Sequence, residues 1–227
     1  MRDTRRPYVI CHMMPSLDGR IVTRGWDLGN ATKQYERTAA TFDADAWIIG
    51  RISMGPYAGK ARVPARKNGQ RIAREDFIAN NAAESYAIAI DPSGKFRWEK
   101  SDIDGEHVIT ILTESVSDDY LAFLRARGVS YLFGGKSRID IPKVLQKLRA
   151  DFGIRKLLLE GGGKINGSFL AANAIDELSI LVAPIADGSI GTPSLFDVSQ
   201  RSTARKLKLV SMEKRTGDLV WLRYKVH

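Results

Sequence analysis

Short β-branched and apolar runs alternate along this chain with segments whose apolar residues recur every three or four positions. Runs of the first kind predict strands and segments of the second kind predict helices, so the alternation indicates an α/β fold. The first four predicted strands cover 8–13, 46–49, 86–90 and 107–112. A helix then precedes a strand three times, over 118–127 and 131–133, 139–150 and 156–159, and 164–172 and 177–182. Such short helix-to-strand connections favour parallel strands with helices on the faces of the sheet.

The segment 139–150 gives the clearest helical pattern. Its apolar residues at i, i+3, i+4 and i+7 fall on one face: Ile141, Val144, Leu145 and Leu148. Pro142 lies in the predicted first turn, where the missing N–H removes no hydrogen bond. We therefore expect this helix to bury that face.

The C-terminal part breaks the helix-to-strand pattern. Residues 206–212 and 219–225 predict two strands that a short turn joins into an antiparallel hairpin. Residues 20–31 and 58–71 show no period and predict long loops of the kind that often serve as lids or binding loops. Because no linker divides the chain, we predict a single domain over 1–227. It is a three-layer α/β/α domain whose mixed, mostly parallel sheet ends in the hairpin.

The composition excludes several classes of protein. With 227 residues, 44% of them hydrophobic, the chain is long enough to bury a core, and its single cysteine, Cys11, allows no internal disulfide. The three histidines are scattered, so no metal site is predicted. No apolar run reaches the roughly 18 residues of a membrane-spanning helix or resembles a signal peptide, so we expect a cytoplasmic protein that does not bind membranes.

The net charge is +9, from 35 Lys and Arg against 26 Asp and Glu. The densest basic stretch contains Lys60, Arg62, Arg66, Lys67, Arg71 and Arg74. It fits either a solvated loop or a rim that attracts phosphorylated small molecules. Aromatic residues are not interleaved with these cations as a base-stacking surface requires, so we do not expect nucleic-acid binding.

A glycine-rich turn gives the strongest local signal. The apolar run 157–159 leads through Glu160 into Gly161, Gly162 and Gly163, which open a predicted helix. Bare backbone amides and the positive helix end favour a cofactor diphosphate there, whereas the alternative is a tight strand-to-helix turn. The spacing is not the G-x-G-x-x-G fingerprint of dinucleotide-binding folds. The predicted cofactor-binding residues continue through Lys164, Ile165, Asn166, Gly167 and Ser168.

Glu160 stands at the carboxyl end of its predicted strand, where open α/β sheets place ligand-binding groups. Its carboxylate suits the donors of a polar heterocycle or of sugar hydroxyls. The alternative is a charge at the helix start that pairs with backbone donors.

Two more predicted strands end in polar residues. After 46–49 come Gly50, Arg51 and Ser53, of which Arg51 is a candidate reader of the 2′-phosphate that distinguishes NADPH from NADH. After 8–13 the chain turns through Asp18 and Gly19, which is also an ordinary turn dipeptide.

Together these motifs resemble the RibD C-terminal group of riboflavin-biosynthesis reductases, which have a dihydrofolate-reductase-like fold. The segments that carry the resemblance are Arg6-Pro-Tyr-Val, Ser16-Leu-Asp-Gly-Arg-Ile, Ala44-Asp-Ala-Trp-Ile-Ile-Gly, Leu158-Leu-Glu-Gly-Gly-Gly, Gly167-Ser-Phe-Leu and Asp176-Glu-Leu-Ser-Ile-Leu-Val-Ala-Pro. The resemblance implies a homodimer that uses NADPH to reduce the ribose of a phosphoribosylaminopyrimidine. It implies cofactor contacts at Pro15, Ser53 and 162–168, and substrate contacts at Glu160 and the turn from Ser16 to Asp18.

The chain also departs from this family. Nothing in it matches the zinc-binding deaminase half, so we expect the reductase alone. Residues 51–57 lack the family's Thr and aspartate pair, and Gly-Arg-x-Ser is closer to dihydrofolate reductases. A pterin or folate reductase and a catalytically silent dinucleotide-binding protein therefore remain alternatives.

Two further expectations concern catalysis and assembly. Asp18 is the candidate catalytic residue, either as a proton donor or by orienting the substrate. The C-terminal hairpin with Trp221 and Tyr224 is a candidate dimer face, and its alternative is burial of these residues within their own chain.

Overall fold

The computed structural model describes residues 4–65, 71–198 and 204–227. The chain divides into two compact units, named here for their place in the sequence. The central unit comprises Asp45–Arg155 with the N-terminal residues up to Pro7, and the terminal unit comprises Tyr8–Ala44 and Lys156–His227.

The described elements are β1 (Tyr8–Met13), α1 (Ala31–Ala40), β2 (Ala46–Gly50), α2 (Arg51–Met54) followed by a 3-10 turn (Gly55–Tyr57), β3 (Tyr86–Ile90), β4 (Asp102–Ile103), β5 (Glu106–Thr113), α3 (Asp118–Ala126), β6 (Ser130–Gly135), α4 (Ile141–Phe152), β7 (Lys156–Leu159), α5 (Gly163–Ala171), β8 (Glu177–Val182), β9 (Leu207–Lys214) and β10 (Val220–Val226).

In the central unit, β2, β3, β5 and β6 pair in that order and run parallel, while the short β4 pairs antiparallel with the start of β5. All five residues of β3 are buried, as both-sided coverage of a parallel strand requires. The core includes large, fully buried aromatic side chains: Trp98, Phe123 and Tyr131. The predicted parallel pairing is confirmed for these strands.

The helices of the central unit begin at side-chain caps. Ser117 Oγ accepts from the Tyr120 amide before α3, and Asp140 Oδ1 accepts from the Lys143 amide before α4. Because Asp140 takes the cap position, α4 begins at Ile141 rather than at the predicted 139. Its predicted apolar face is buried.

In the terminal unit, β7, β1 and β8 run parallel, and β10 and β9 continue the order as antiparallel strands. Two registers matter for the site, because Cys11 lies opposite Leu159 and His12 lies opposite Ser179. The predicted C-terminal hairpin is confirmed, as is the mixed, mostly parallel α/β class. The single domain over 1–227 stays a prediction.

The helix α1 was not predicted. Its sequence is short of large apolar residues, and it buries Gln34 and Thr38 instead. Its apolar content is too low to predict a helix, and the hydrogen bond from the Tyr35 hydroxyl to the His12 carbonyl connects it to β1.

The proposed dimer face needs a correction at one residue. Trp221 is 5% exposed, and its Nε1 donates to Ser179 Oγ at 2.8 Å inside its own unit. The alternative of burial within the chain is therefore the correct one for Trp221. The exposed apolar side chains of the hairpin lie on β9 instead: Leu207, Leu209, Val210 and Met212.

Candidate functional site

Parallel strands β1, β7 and β8 end at the same edge of the terminal sheet, where α/β proteins bind ligands. The turn after β1 packs on the segment after β8, since Leu17 N donates to Ile185 O at 2.8 Å. Pro15 is buried, and its carbonyl accepts from Ala183 N at 2.8 Å. After β7, Gly161 lies against Met13 at the end of β1 and Gly162 lies near Ile21, so the residues that follow β7 adjoin the two ends of the segment that contains the 15–18 turn.

Asp18 is exposed, but both of its carboxylate oxygens accept hydrogen bonds. Oδ1 accepts from Ser16 Oγ at 2.7 Å and from Asp187 N at 3.0 Å, and Oδ2 accepts from Gly188 N at 2.9 Å. The Ser16 hydroxyl and these amides hold the pKa of Asp18 well below its usual range. An ionised carboxylate carries no proton to donate, so this geometry favours the orienting alternative over a proton donor.

Ser16 has an internal role in this turn. It is buried, and its Oγ donates to Asp18 and accepts from Arg20 N at 2.9 Å. The Ser16 hydroxyl thus makes the hydrogen bonds of an ordinary turn, which was the alternative interpretation. Leu17, between Ser16 and Asp18, is 76% exposed.

The glycines in and after the turn that follows β7 differ in how closely the rest of the chain packs against them. A Cβ on Gly163 would lie 2.2 Å from Ser194 O, and a Cβ on Gly167 would lie 2.3 Å from Asp197 O. Both glycines are therefore needed for α5 to pack closely against 194–198. For Gly163 this agrees with the alternative of a tight strand-to-helix turn. At Gly162 the nearest atom to such a Cβ is Ile21 Cδ1 at 3.7 Å. Gly162 is thus the glycine of this turn whose small size the surrounding chain does not need.

The first turns of α5 carry both exposed and buried polar groups. Lys164 and Ser168 are exposed, and Ser168 Oγ donates to Lys164 O at 2.8 Å, while Ile165 is half-buried. Asn166 is fully buried, and its Nδ2 donates to Leu195 O at 3.0 Å. Its Oδ1 has no hydrogen-bond partner among the described residues.

Glu160 is half-buried immediately after β7, and its Oε1 accepts from the Tyr35 hydroxyl at 3.0 Å. The same hydroxyl lies 2.9 Å from the carbonyl oxygen of His12 on β1. Burial and the neighbouring carboxylate raise the pKa of Tyr35 well above its ordinary value, so the hydroxyl keeps its proton. Sequence reasoning missed Tyr35, because it lies on the unpredicted α1.

The thiol of Cys11 is buried in this unit, where burial and the charge of Glu160 raise its pKa. A thiol in that state is a poor nucleophile, so Cys11 packs as a small apolar residue.

In the central unit, Gly50 ends β2 and precedes α2, and Arg51 and Ser53 are exposed on that helix. Their predicted roles toward a cofactor stay predictions. Arg74 is no free cation, because its guanidinium donates to Asp118 at 2.5 Å and to the carbonyls of Glu114 and Val116. Lys60, Arg62 and Arg71 are exposed, whereas Arg66 and Lys67 lie outside the described residues.

Neither a metal centre nor a membrane helix is found in the described part of the chain. Within residues 4–65, 71–198 and 204–227, no group of three or more His, Cys, Asp and Glu side chains is arranged to hold a metal ion. Over the same ranges no helix has the length and apolarity needed to cross a bilayer.

Comparisons with known proteins agree with this architecture. The family model of the RibD C-terminal domain matches residues 7–221. The 2,5-diamino-6-ribosylamino-4(3H)-pyrimidinone 5′-phosphate reductase of Methanothermobacter thermautotrophicus is 31% identical over 224 residues, covering 95% of this chain and 96% of that protein. The riboflavin biosynthesis protein RibD of Bacillus amyloliquefaciens is 42% identical over 206 residues, covering 85% of this chain and 50% of that protein.

Among solved structures, a pyrimidine reductase-like protein from Corynebacterium diphtheriae superposes with a TM-score of 0.71 at 20% identity. The match covers 97% of this chain and 92% of that one. At this identity the likeness supports the fold alone. The chain thus spans nearly the whole archaeal reductase and about half of the Bacillus protein.

Proposed function

The chain belongs to the RibD C-terminal domain family, and from this premise we propose that it is an NADPH-dependent reductase of a ribosylaminopyrimidine 5′-phosphate. The family match over residues 7–221 carries the proposal. The name of the archaeal relative, matched over 96% of its length, supports a diaminopyrimidinone substrate. The RibD resemblance supports the deaminated uracil form of the same compound. Both are small phosphorylated molecules, so their charge suits a chain with a formal charge of +9.

The turn after β7 fits the diphosphate of a nicotinamide cofactor. A Cβ at Gly162 would make only a van der Waals contact, with Ile21 Cδ1 at 3.7 Å, and the exposed ammonium of Lys164 stands in the first turn of α5, whose amides favour an anion. When bound, the cofactor would supply a hydride. The residues of this turn would hold it in place and keep water away from it.

The reduction adds a hydride at C1′ of the ribose while the bond from C1′ to the ring oxygen breaks and that oxygen takes a proton. In this proposal the half-buried carboxylate of Glu160 accepts hydrogen bonds from the amino groups of the pyrimidine. The ionised Asp18 holds the turn that borders this edge rather than supplying the proton. We therefore assign Glu160 to substrate binding and Asp18 to orientation of the site.

The activity is tested by following NADPH absorbance while the chain meets four compounds: the diaminopyrimidinone phosphate, the uracil phosphate, dihydrofolate and a dihydropterin. We expect consumption with one or both pyrimidine phosphates, and a loss of about 100-fold in kcat/KM for Glu160→Gln. Consumption with dihydrofolate or dihydropterin alone would contradict the proposal in favour of a pterin reductase. Binding of NADPH without consumption of it would indicate a silent binding protein.

A matched pair of glycine variants tests the cofactor turn. Gly162→Ala adds a methyl group that meets no chain atom within 3.4 Å, so we expect a change of less than about 0.5 kcal/mol in the free energy of unfolding but weaker NADPH binding by about tenfold. Gly163→Ala meets Ser194 O at 2.2 Å and should cost about 2 kcal/mol. Fluorescence titration with NADPH and urea denaturation measure the two effects. Unchanged NADPH affinity in Gly162→Ala would remove the diphosphate from this turn.

A further inference from the structure

The hydroxyl of Tyr35 sits between two acceptors, the carbonyl of His12 at 2.9 Å and Oε1 of Glu160 at 3.0 Å. It joins the penultimate residue of β1 to the residue that follows β7. A phenol has one proton to donate, so the two acceptors share it. The hydroxyl thereby ties the Glu160 carboxylate to the backbone of β1, the strand that pairs with β7.

A chain of hydrogen bonds leads from Trp221 on β10 to the backbone carbonyl of Tyr35. Trp221 Nε1 can only donate, and it donates to Ser179 Oγ at 2.8 Å. Ser179 Oγ lies 2.9 Å from His12 Nδ1, and His12 Nε2 lies 3.2 Å from the carbonyl oxygen of Tyr35. The Thr38 hydroxyl lies 3.3 Å from the same Nε2, so which ring nitrogen donates depends on the His12 tautomer. In either tautomer these contacts link β10 to α1 through Ser179 and His12.

The imidazole of His12 also supports the phenol ring directly. The two rings stack with centroids 4.3 Å apart and an interplanar angle of 26°. His12 is fully buried, and burial lowers its pKa to about 4, so the ring is neutral at neutral pH. The phenol of Tyr35 is therefore fixed at its ring, its backbone and its hydroxyl.

We propose that Tyr35 is a positioning residue that fixes the carboxylate of Glu160 in the orientation that binds the pyrimidine substrate. The inference rests on the proposed function of Glu160 and adds a residue that acts through it. A glutamate side chain has three rotatable bonds and loses conformational entropy when it binds a ligand. A carboxylate that Tyr35 already orients loses less of it, which tightens substrate binding.

The test compares Tyr35→Phe with Tyr120→Phe. Tyr120 is a matched control, because it also donates its hydroxyl to a carboxylate, Asp91 Oδ2 at 3.0 Å, but lies in the central unit. We expect Tyr35→Phe to raise KM for the pyrimidine phosphate about tenfold, with kcat and NADPH affinity changed less than about twofold. Tyr120→Phe should leave all three constants unchanged.

A double variant shows whether Tyr35 acts through Glu160. If it does, Tyr35→Phe combined with Glu160→Gln reduces kcat/KM no further than Glu160→Gln alone. Losses that multiply, or an unchanged KM in Tyr35→Phe, would overturn the inference.

A spectroscopic measurement separates this inference from the proposed function. In protein labelled with carbon-13 at the glutamate carboxyl carbon, Glu160→Gln assigns the Glu160 resonance. We expect Tyr35→Phe to shift that resonance at neutral pH and Tyr120→Phe to leave it in place. A wild-type protein that reduces no pyrimidine phosphate would contradict the proposed function, whereas an unshifted resonance in Tyr35→Phe would contradict the link from Tyr35 to Glu160.

Discussion

Two tyrosine-to-carboxylate pairs, one in each unit, show how the same chemistry serves different ends. In the central unit Asp91 is 0% exposed, and its Oδ2 accepts from the amides of Lys95 and Phe96 as well as from Tyr120. In the terminal unit Glu160 is half-buried and follows a strand end at the edge of the sheet. The first carboxylate closes a loop, and the second is half-buried at the edge of the sheet where we propose that the substrate binds.

The difference lies in how completely the fold encloses each carboxylate. Two backbone amides and a phenol fix Asp91, so removing it leaves buried donors unpaired. Glu160 takes its orientation from a tyrosine that other side chains support from behind. The orientation of Glu160, the proposed binding group, thus depends on Tyr35 and on the residues that support Tyr35. Those residues lie outside the proposed site.

The largest expected effect breaks the central pair. Asp91→Ala leaves the Phe96 amide and the Tyr120 hydroxyl buried without an acceptor, so we expect a loss of about 4 kcal/mol in the free energy of unfolding. Glu160→Ala should cost about 1 kcal/mol or less, because its surroundings are partly solvated. Urea denaturation measures both. Equal losses in the two variants would show that the pairs are structurally equivalent.

Low pH should reduce the stability of the folded protein through His12, which stacks on Tyr35 of the Tyr35–Glu160 pair. Its pKa in the folded protein is about 4 against 6.5 for the free side chain, so the unfolded chain takes up the proton first as the pH falls. The stability from neutral His12 is complete above pH 6.5, and about 2 kcal/mol of it is lost by about pH 5.

The control for this pH effect is His12→Gln, whose amide can donate to the Tyr35 carbonyl but does not titrate. Urea denaturation at about pH 7.5 and about pH 5 should give a smaller pH dependence in the variant than in the wild type. An identical pH dependence in both proteins would show that His12 does not titrate as described.

The smallest expected effect concerns the far end of the hydrogen-bond chain. Trp221→Phe removes the donor to Ser179, and Trp98→Phe removes a comparable bond from Nε1 to Thr110 Oγ1 at 3.1 Å in the central unit. Each should cost about 1 kcal/mol of stability. Only Trp221→Phe should also raise KM for the pyrimidine phosphate, by about twofold. A similar change in KM for Trp98→Phe would mean that general destabilisation, rather than the chain behind Tyr35, controls the site.

Local pattern in the sequence predicted the regular elements because their physics is local. The apolar face of α4 and the continuous apolar run of β3 carry their periods in adjacent residues, and both elements were found. Glu160 was predicted for a similar reason, since the carboxyl end of a parallel strand is a position that the strand itself defines.

Only the tertiary structure decided which polar groups meet. Tyr35 and Glu160 are 125 residues apart in the chain, and His12 and Ser179 are 167 apart, so no spacing in the sequence announces either contact. The helix α1 that carries Tyr35 has few large apolar residues, so hydropathy did not predict it, and the Tyr35 hydroxyl bonds it to β1.

The same reason explains where the sequence misled. Three adjacent glycines look alike in the sequence, yet packing against 194–198 requires Gly163, whereas a Cβ at Gly162 would make only a van der Waals contact with Ile21. Asp18 looked able to donate a proton until the amides of Asp187 and Gly188 placed it among donors that keep it ionised. A sequence specifies which groups are present and which strands and helices carry them. The protonation and accessibility of those groups depend on neighbours that only the folded chain supplies.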